Sequence, residues 1–127
     1  MRGNSDATGT RPVSDERFVS LYVTVPALAE AERIGTALVE ERLAACVNIV
    51  PGVVSLYSWE GALQRDDEVL LFAKTPASLA VAARERIVAL HGHDVPCVLT
   101  LPIEDGHPAY LAWLASRTGP EGGAPNA

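Results

Sequence analysis

The first sustained apolar stretch of the chain is Phe18-Val19-Ser20-Leu21-Tyr22-Val23-Thr24-Val25. It is rich in β-branched and aromatic residues and is closed by Pro26, which predicts a strand. The period then changes. Ala27, Ala31, Ile34 and Leu38 recur at helical spacing, and Glu32, Arg33, Thr36 and Glu40 gather on the opposite side. An amphipathic helix is therefore expected to run to about Arg42, with Leu43 off its apolar stripe. Ala45 to Val50 reads as extended, Pro51-Gly52 interrupts it, and Val53 to Trp59 resumes the pattern. A proline inside a strand marks an edge or a bulge because it has no N–H to give the ladder, so one long bent strand is expected. Glu60-Gly61 makes a turn, and the segment from Ala62 to Thr75 returns through Val69-Leu70-Leu71-Phe72-Ala73 to complete a long hairpin. Thr75 as N-cap and Pro76 at the first helical position predict a second helix. Its buried stripe is Leu79, Ala83, Ile87 and Leu90, and Gly92 is its stop. Val95 to Ile103 predicts a fourth strand. Pro108 opens a short last helix carrying Tyr110, Leu111, Trp113 and Leu114, capped by Asp105 in place of His107.

The order βαββαβ plus a C-terminal helix predicts an α+β fold of the ferredoxin-like sandwich type. One sheet with both crossover helices on one face leaves its other face bare and apolar, so an oligomer is expected. Residues 1–16 and 118–127 are rich in Gly, Pro and small polar residues and read as flexible tails, which leaves one domain at 17–117. The chain's 127 residues suit a single core that needs neither a metal nor a disulfide to fold.

Charge narrows the partners. Ten Lys+Arg against 16 Asp+Glu give a formal charge of −6, and no basic cluster occurs, which argues against nucleic acid or anionic lipid as a partner. No apolar run approaches the length of a membrane helix, and the N-terminal residues lack the apolar core of a secretory signal. A cytoplasmic protein is expected, with Cys46 and Cys97 kept as thiols. The sequence carries no Gly-x-Ser-x-Gly, Walker loop, H-E-x-x-H or CxxC motif, so no enzyme activity is expected.

Several segments together resemble the CutA family of divalent-cation tolerance proteins. They are Leu38 to Gly52 with its Ala-Ala-Cys run, Leu56-Tyr57-Ser58-Trp59-Glu60-Gly61, Glu68-Val69-Leu70-Leu71, Lys74-Thr75, Leu101-Pro102-Ile103, and Gly106 with Pro108 and Tyr110 to Leu114. The resemblance covers nearly all of 18–116. It implies the same fold, a homotrimer formed through the sheets and similar to the PII signalling proteins, and a role in tolerance of copper and other divalent cations.

The densest set of candidate ligands is His91-Gly92-His93-Asp94 with Cys97 three residues on. Imidazoles, a carboxylate and a thiol suit copper or zinc, so His91, His93 and Cys97 are the expected metal residues. His91 corresponds to a histidine that the resemblance associates with metal. Gly92, His93 and Cys97 stand where the family usually has Pro, Tyr and Glu, and Val23 where a bacterial relative has Cys. The ligands would then come from His93, Cys97 or His107. The plainer reading makes His91 a favourable helix end and His93 and Asp94 loop polars. Tyr57, Trp59, Glu60 and Lys74, with Tyr110 and Trp113, are the candidates for a ligand cleft between subunits of a PII-like binding module. Their alternative role is interface packing. Asp66-Asp67-Glu68 reads as a solvated acidic turn that protects the sheet edge. Cys46 reads as a small apolar residue on an edge opposite Cys97, so a disulfide within one subunit is not expected.

Overall fold

A computed structural model describes residues 16–120; of the tails expected at 1–16 and 118–127, residues 1–15 and 121–127 lie outside the described residues. The elements are β1 (Phe18–Val25), α1 (Leu28–Glu40), β2 (Cys46–Trp59), β3 (Ala62–Pro76), a 3-10 turn (Ala77–Leu79), α2 (Ala80–Leu90), β4 (Val98–Ile103) and α3 (Pro108–Ser116). The four strands form one sheet in the order β2-β3-β1-β4, with every neighbouring pair antiparallel. This is the expected α+β arrangement, with β2 and β4 at the edges.

Strand alternation sorts the residues between two faces. Val19, Leu21, Val23 and Val25 of β1 and Val69, Leu71 and Ala73 of β3 are buried on one face. There all of them but Val19 meet Ala31, Ile34 and Leu38 of α1 and Ala83 and Ile87 of α2 to form the main core. Gly35 lets α1 approach β2 closely, since a Cβ there would stand 3.0 Å from Val47 Cγ1. A smaller cluster joins Leu114 of α3 to Phe18, with Ile103 packed beside it, so α3 covers one end of the opposite face. The rest of that face is uncovered in the subunit. Tyr22 and Phe72 make an edge-to-face pair there at 5.7 Å, and Val50, Leu99 and Leu101 are exposed.

Two turns bend and close the hairpin as the sequence predicts. The ladder between β2 and β3 slips between Val50 and Val53, where Pro51 and Gly52 (φ 84°) insert a bulge. Glu60 and Gly61 both have positive φ, 51° and 80°, as a two-residue hairpin turn with right-handed twist requires.

Several boundaries differ from the sequence reading for physical reasons. Thr75 does not cap a helix: it and Pro76 continue β3, paired with Val19 and Phe18, and α2 starts only at Ala80. Thr75 is fully buried, and its hydroxyl finds no partner among the described residues. β4 begins at Val98 rather than Val95, because Pro96 has no N–H for the ladder with β1. Asp105 accepts the Gly106 N–H at 2.8 Å instead of capping α3, and His107 occupies the N-cap position without a side-chain bond. Thr118 and Gly119 belong to the folded unit. Thr118 is buried with its hydroxyl donating to Leu114 O at 3.1 Å, and the Gly119 N–H donates to Arg42 O at 3.0 Å.

Leu43 lies off the helical stripe because α1 has already ended. Its N–H donates back to Leu38 O at 2.9 Å and that of Arg42 to Val39 O at 3.1 Å. This is a Schellman end with Arg42, rather than glycine, in the left-handed position at φ 61°.

Candidate functional site

His91 follows α2 in extended conformation, and its side chain is completely buried. Its Nε2 lies 2.8 Å from Thr24 O, and a carbonyl only accepts, so Nε2 carries the proton. Its Nδ1 accepts the His93 N–H at 3.1 Å. Both ring nitrogens are thereby used, and neither offers a lone pair to a metal. Glu30 of α1 completes the arrangement: its Oε2 takes the Gly92 N–H at 3.0 Å and stands 3.8 Å from His91 Nδ1. Gly92 follows the helix end without the positive φ of a glycine stop. His91 is therefore a brace between β1, α1 and the 91–97 loop. The signal was present in the sequence, since His91 falls four residues after Ile87 on the buried stripe.

His93 and Cys97 have a different setting. Both are exposed, and both line a cleft of about 690 Å³ between the loop and the outer half of the hairpin. Tyr57, Trp59, Asp66 and Glu68 line the opposite side, with Asp94 beside His93. Among the described residues, no group of three or more His, Cys, Asp or Glu side chains is gathered closely enough to hold a metal ion. The expected set His91, His93 and Cys97 is thus divided, and His107 lies beyond the other end of β4.

The bulge decides which hairpin residues face the cleft. Val50 pairs with Leu70 and Val53 with Glu68, so β2 gains one residue on β3. The extra residue turns Val53, Ser55, Tyr57 and Trp59 to the outer face together with Asp66 and Glu68. The Tyr57 hydroxyl donates to Asp66 Oδ2 and that of Ser55 to Glu68 Oε1, both at 2.6 Å. The bond to Asp66, reinforced by nearby carboxylate charge, raises the Tyr57 pKa above the ordinary phenol value. Asp67 points the other way and pairs with Arg65 at 3.2 Å. The acidic run is therefore a strand with alternating faces, not a turn, and the sequence reading missed Asp66 and Glu68 as cleft residues. Period-two alternation was the signal for them.

Within one subunit, the six residues expected to line a cleft between subunits fall into two groups. Tyr57, Trp59 and Glu60 are at the hairpin tip, with Glu60 in the turn itself. Lys74 stands ten residues beyond Gln64, the partner of Tyr57, which is roughly 30 Å along β3. There its Nζ donates to the Tyr110 hydroxyl at 3.3 Å and lies 5.4 Å from the ring centroid. Tyr110 stacks on Trp113 at 5.7 Å, and Arg117, which the sequence reading did not include, lies 6.0 Å over the Trp113 ring. Cys46 pairs with Lys74 on β2, at the sheet edge opposite β4, and both cysteines are thiols.

Comparison with known proteins fits this architecture. Residues 19–117 match the family model described as CutA1 divalent ion tolerance protein. The chain belongs to that family. A divalent-cation tolerance protein CutA from Thermus thermophilus is 50% identical over 99 residues, covering 78% of this chain and 96% of that protein. The chloroplastic protein CutA 1 of Oryza sativa is 48% identical over 100 residues, and the match spans 79% of this chain but only 56% of that longer relative. The crystal structure of CutA1 from Oryza sativa superposes with a TM-score of 0.79 at 47% identity, covering 81% of this chain and 94% of that one. Among the described residues, no helix is long and apolar enough to cross a membrane.

Proposed function

We propose that this CutA-family protein works as a homotrimer that takes up divalent cations, copper foremost, in tolerance of metal ions. It binds rather than catalyses, and it acts in the cytoplasm, where a reducing medium keeps its thiols available. His93 supplies a nitrogen donor and Cys97 a sulfur donor, a pairing that suits copper. The carrying observation is that both face one cleft beside Asp94. One subunit gathers too few donors for a closed site, so a neighbouring subunit completes the coordination. Trimer formation is supported by the uncovered sheet face, where Val50, Leu99 and Leu101 are exposed at 44%, 53% and 40%. Light scattering and copper titration test the reading. The expected results are a trimer mass and copper binding that His93→Ala/Cys97→Ser abolishes. A stable monomer, or unchanged binding in the double variant, overturns it.

A second reading, a PII-like module for a small ligand or partner protein, is favoured by the separation of the two aromatic groups. The tip with Tyr57, Trp59 and Glu60 and the patch with Lys74, Tyr110 and Trp113 are too far apart to share a ligand except between subunits. A metabolite that raises the melting temperature of the wild type, but not of Lys74→Ala, would support it.

A further inference from the structure

We propose that Glu30 is a positioning residue for metal uptake. Acting with the buried ring of His91, its carboxylate fixes the 92–97 loop so that His93 and Cys97 present their donors together. The inference deepens the metal reading given above and rests on it.

The loop has two anchors, and both are on β1. At its C-terminal end Val98 pairs with Val23, which places Cys97 at the start of β4. At its N-terminal end His91 bonds to the carbonyl of Thr24, the next residue of β1. Among the described residues, no backbone–backbone hydrogen bond holds residues 92–97 between these anchors. Two side chains supply what the backbone lacks. Glu30 takes the Gly92 N–H at 3.0 Å, and His91 Nδ1 takes the His93 N–H at 3.1 Å. The His93 ring also leans on the His91 ring, with centroids 4.8 Å apart. The backbone and the imidazole of one donor residue are thereby both set by the brace.

Glu30 is suited to this role. It stands in the first turn of α1, where the helix dipole favours a carboxylate. Its side chain is only 16% exposed, so the acceptor is itself held in place. Without that acceptor the Gly92 N–H would turn to water and the loop would sample more conformations. The ion would then have to supply the ordering that the brace supplies in advance.

The test uses the full chain and variants whose mass by light scattering matches the wild type. Affinity for zinc(II), a divalent ion that leaves the Cys97 thiol unoxidised, is measured by competition with a chromophoric chelator. Glu30→Gln loses the charge but keeps the acceptor, and should bind within about threefold of the wild type. Glu30→Asp keeps the charge and the complement to the helix dipole, but is one methylene too short for Gly92. It should bind about tenfold more weakly. Leu38→Ala loosens the core and not the loop, so its affinity should be unchanged, which separates positioning from general stability. In metal-free protein, amide exchange at Gly92 and His93 should quicken about tenfold in Glu30→Asp but not in Glu30→Gln. Equal affinity in the Glu30 variants, weaker binding by Gln than by Asp, an equal loss in Leu38→Ala, or unchanged exchange in Glu30→Asp overturns the proposal. Zinc binding unchanged in His93→Ala/Cys97→Ser overturns the metal reading instead, and the exchange result then decides the brace by itself.

Discussion

Replacing Arg42 by glycine sets two effects of opposite sign against each other. At φ 61° the backbone of Arg42 occupies the left-handed region, which costs a residue with a Cβ roughly 1–2 kcal/mol and glycine almost nothing. Glycine also gives the unfolded chain more freedom, which removes roughly 0.4–1 kcal/mol of that gain. On backbone grounds alone, Arg42→Gly should be mildly stabilising. The side chain opposes this. Its Nε donates to Gly119 O at 2.8 Å, and its Nη2 donates to Ser116 O at 3.2 Å and reaches Thr118 O at 3.5 Å. These carbonyls lie at and just beyond the end of α3, where the helix dipole also favours a cation.

A hydrogen bond from a charged donor contributes about 1.5–3 kcal/mol when protected from water, and the 3.5 Å contact adds little. Both good contacts are only part-buried, so together they are worth about 2–4 kcal/mol. The side chain should therefore win, and Arg42→Gly should destabilise the protein by about 1–3 kcal/mol. Urea unfolding at one fixed protein concentration measures the sum, since an oligomer's stability depends on concentration. Amide exchange localises the effect, with α3 losing protection and α1 keeping it. Arg42→Lys keeps the charge but not the fork, and should fall between the two. A glycine variant as stable as the wild type would refute the reasoning.

Leu38 is fully buried in the main core, and Leu38→Ala should lower the unfolding free energy by about 2–5 kcal/mol in urea. Thr75→Val replaces a buried hydroxyl that has no partner among the described residues by a methyl group and should raise stability by about 1–3 kcal/mol; a loss would mean that the hydroxyl is hydrogen-bonded. The raised Tyr57 pKa means that its bond to Asp66 contributes fully below the ordinary phenol value and is lost as pH rises through the raised one. Asp66→Asn should bring the Tyr57 ring titration, followed by NMR, down towards the ordinary phenol value, and an unmoved titration would rule out Asp66 as the cause.

Much of the fold was legible because the core pattern repeats within each element. Ala31, Ile34 and Leu38 gave α1, and the run Val69-Leu70-Leu71-Phe72-Ala73 gave β3, of which Val69, Leu71 and Ala73 are the core face. What was not legible depended on pairing. Thr75 and Pro76 carry a strong helix-start signal, but pairing with Val19 and Phe18 keeps them in the sheet. Glycine at 92 suggested a positive-φ stop, whereas the carboxylate of Glu30, distant in sequence, holds its N–H. The candidate site suffered most. His91 looked like a ligand because its neighbours were ligand types, yet its burial and its bond to Thr24 O come from packing that local spacing does not display. Likewise, the length of β3 keeps Trp59 and Trp113 apart within one subunit, a separation that residue type does not display.

The bulge at Pro51-Gly52 links packing to chemistry. Before it, Cys46, Asn48 and Val50 share the outer face with Leu70, Phe72 and Lys74; after it, the odd-numbered residues of β2 take that face. An uninterrupted strand would aim Val54, Leu56 and Ser58 at Asp66 and Glu68, and would turn Tyr57 and Trp59 to the other side. β3 cannot slip to compensate, because Val69, Leu71 and Ala73 are fixed in the core and a one-residue shift would bury Glu68 and Lys74 in their place. The inserted residue therefore selects which side chains meet the carboxylates, while the buried half of the same strand holds them there. The Pro-Gly pair first read as an irregularity in a strand is what assembles the aromatic and acidic walls of the cleft.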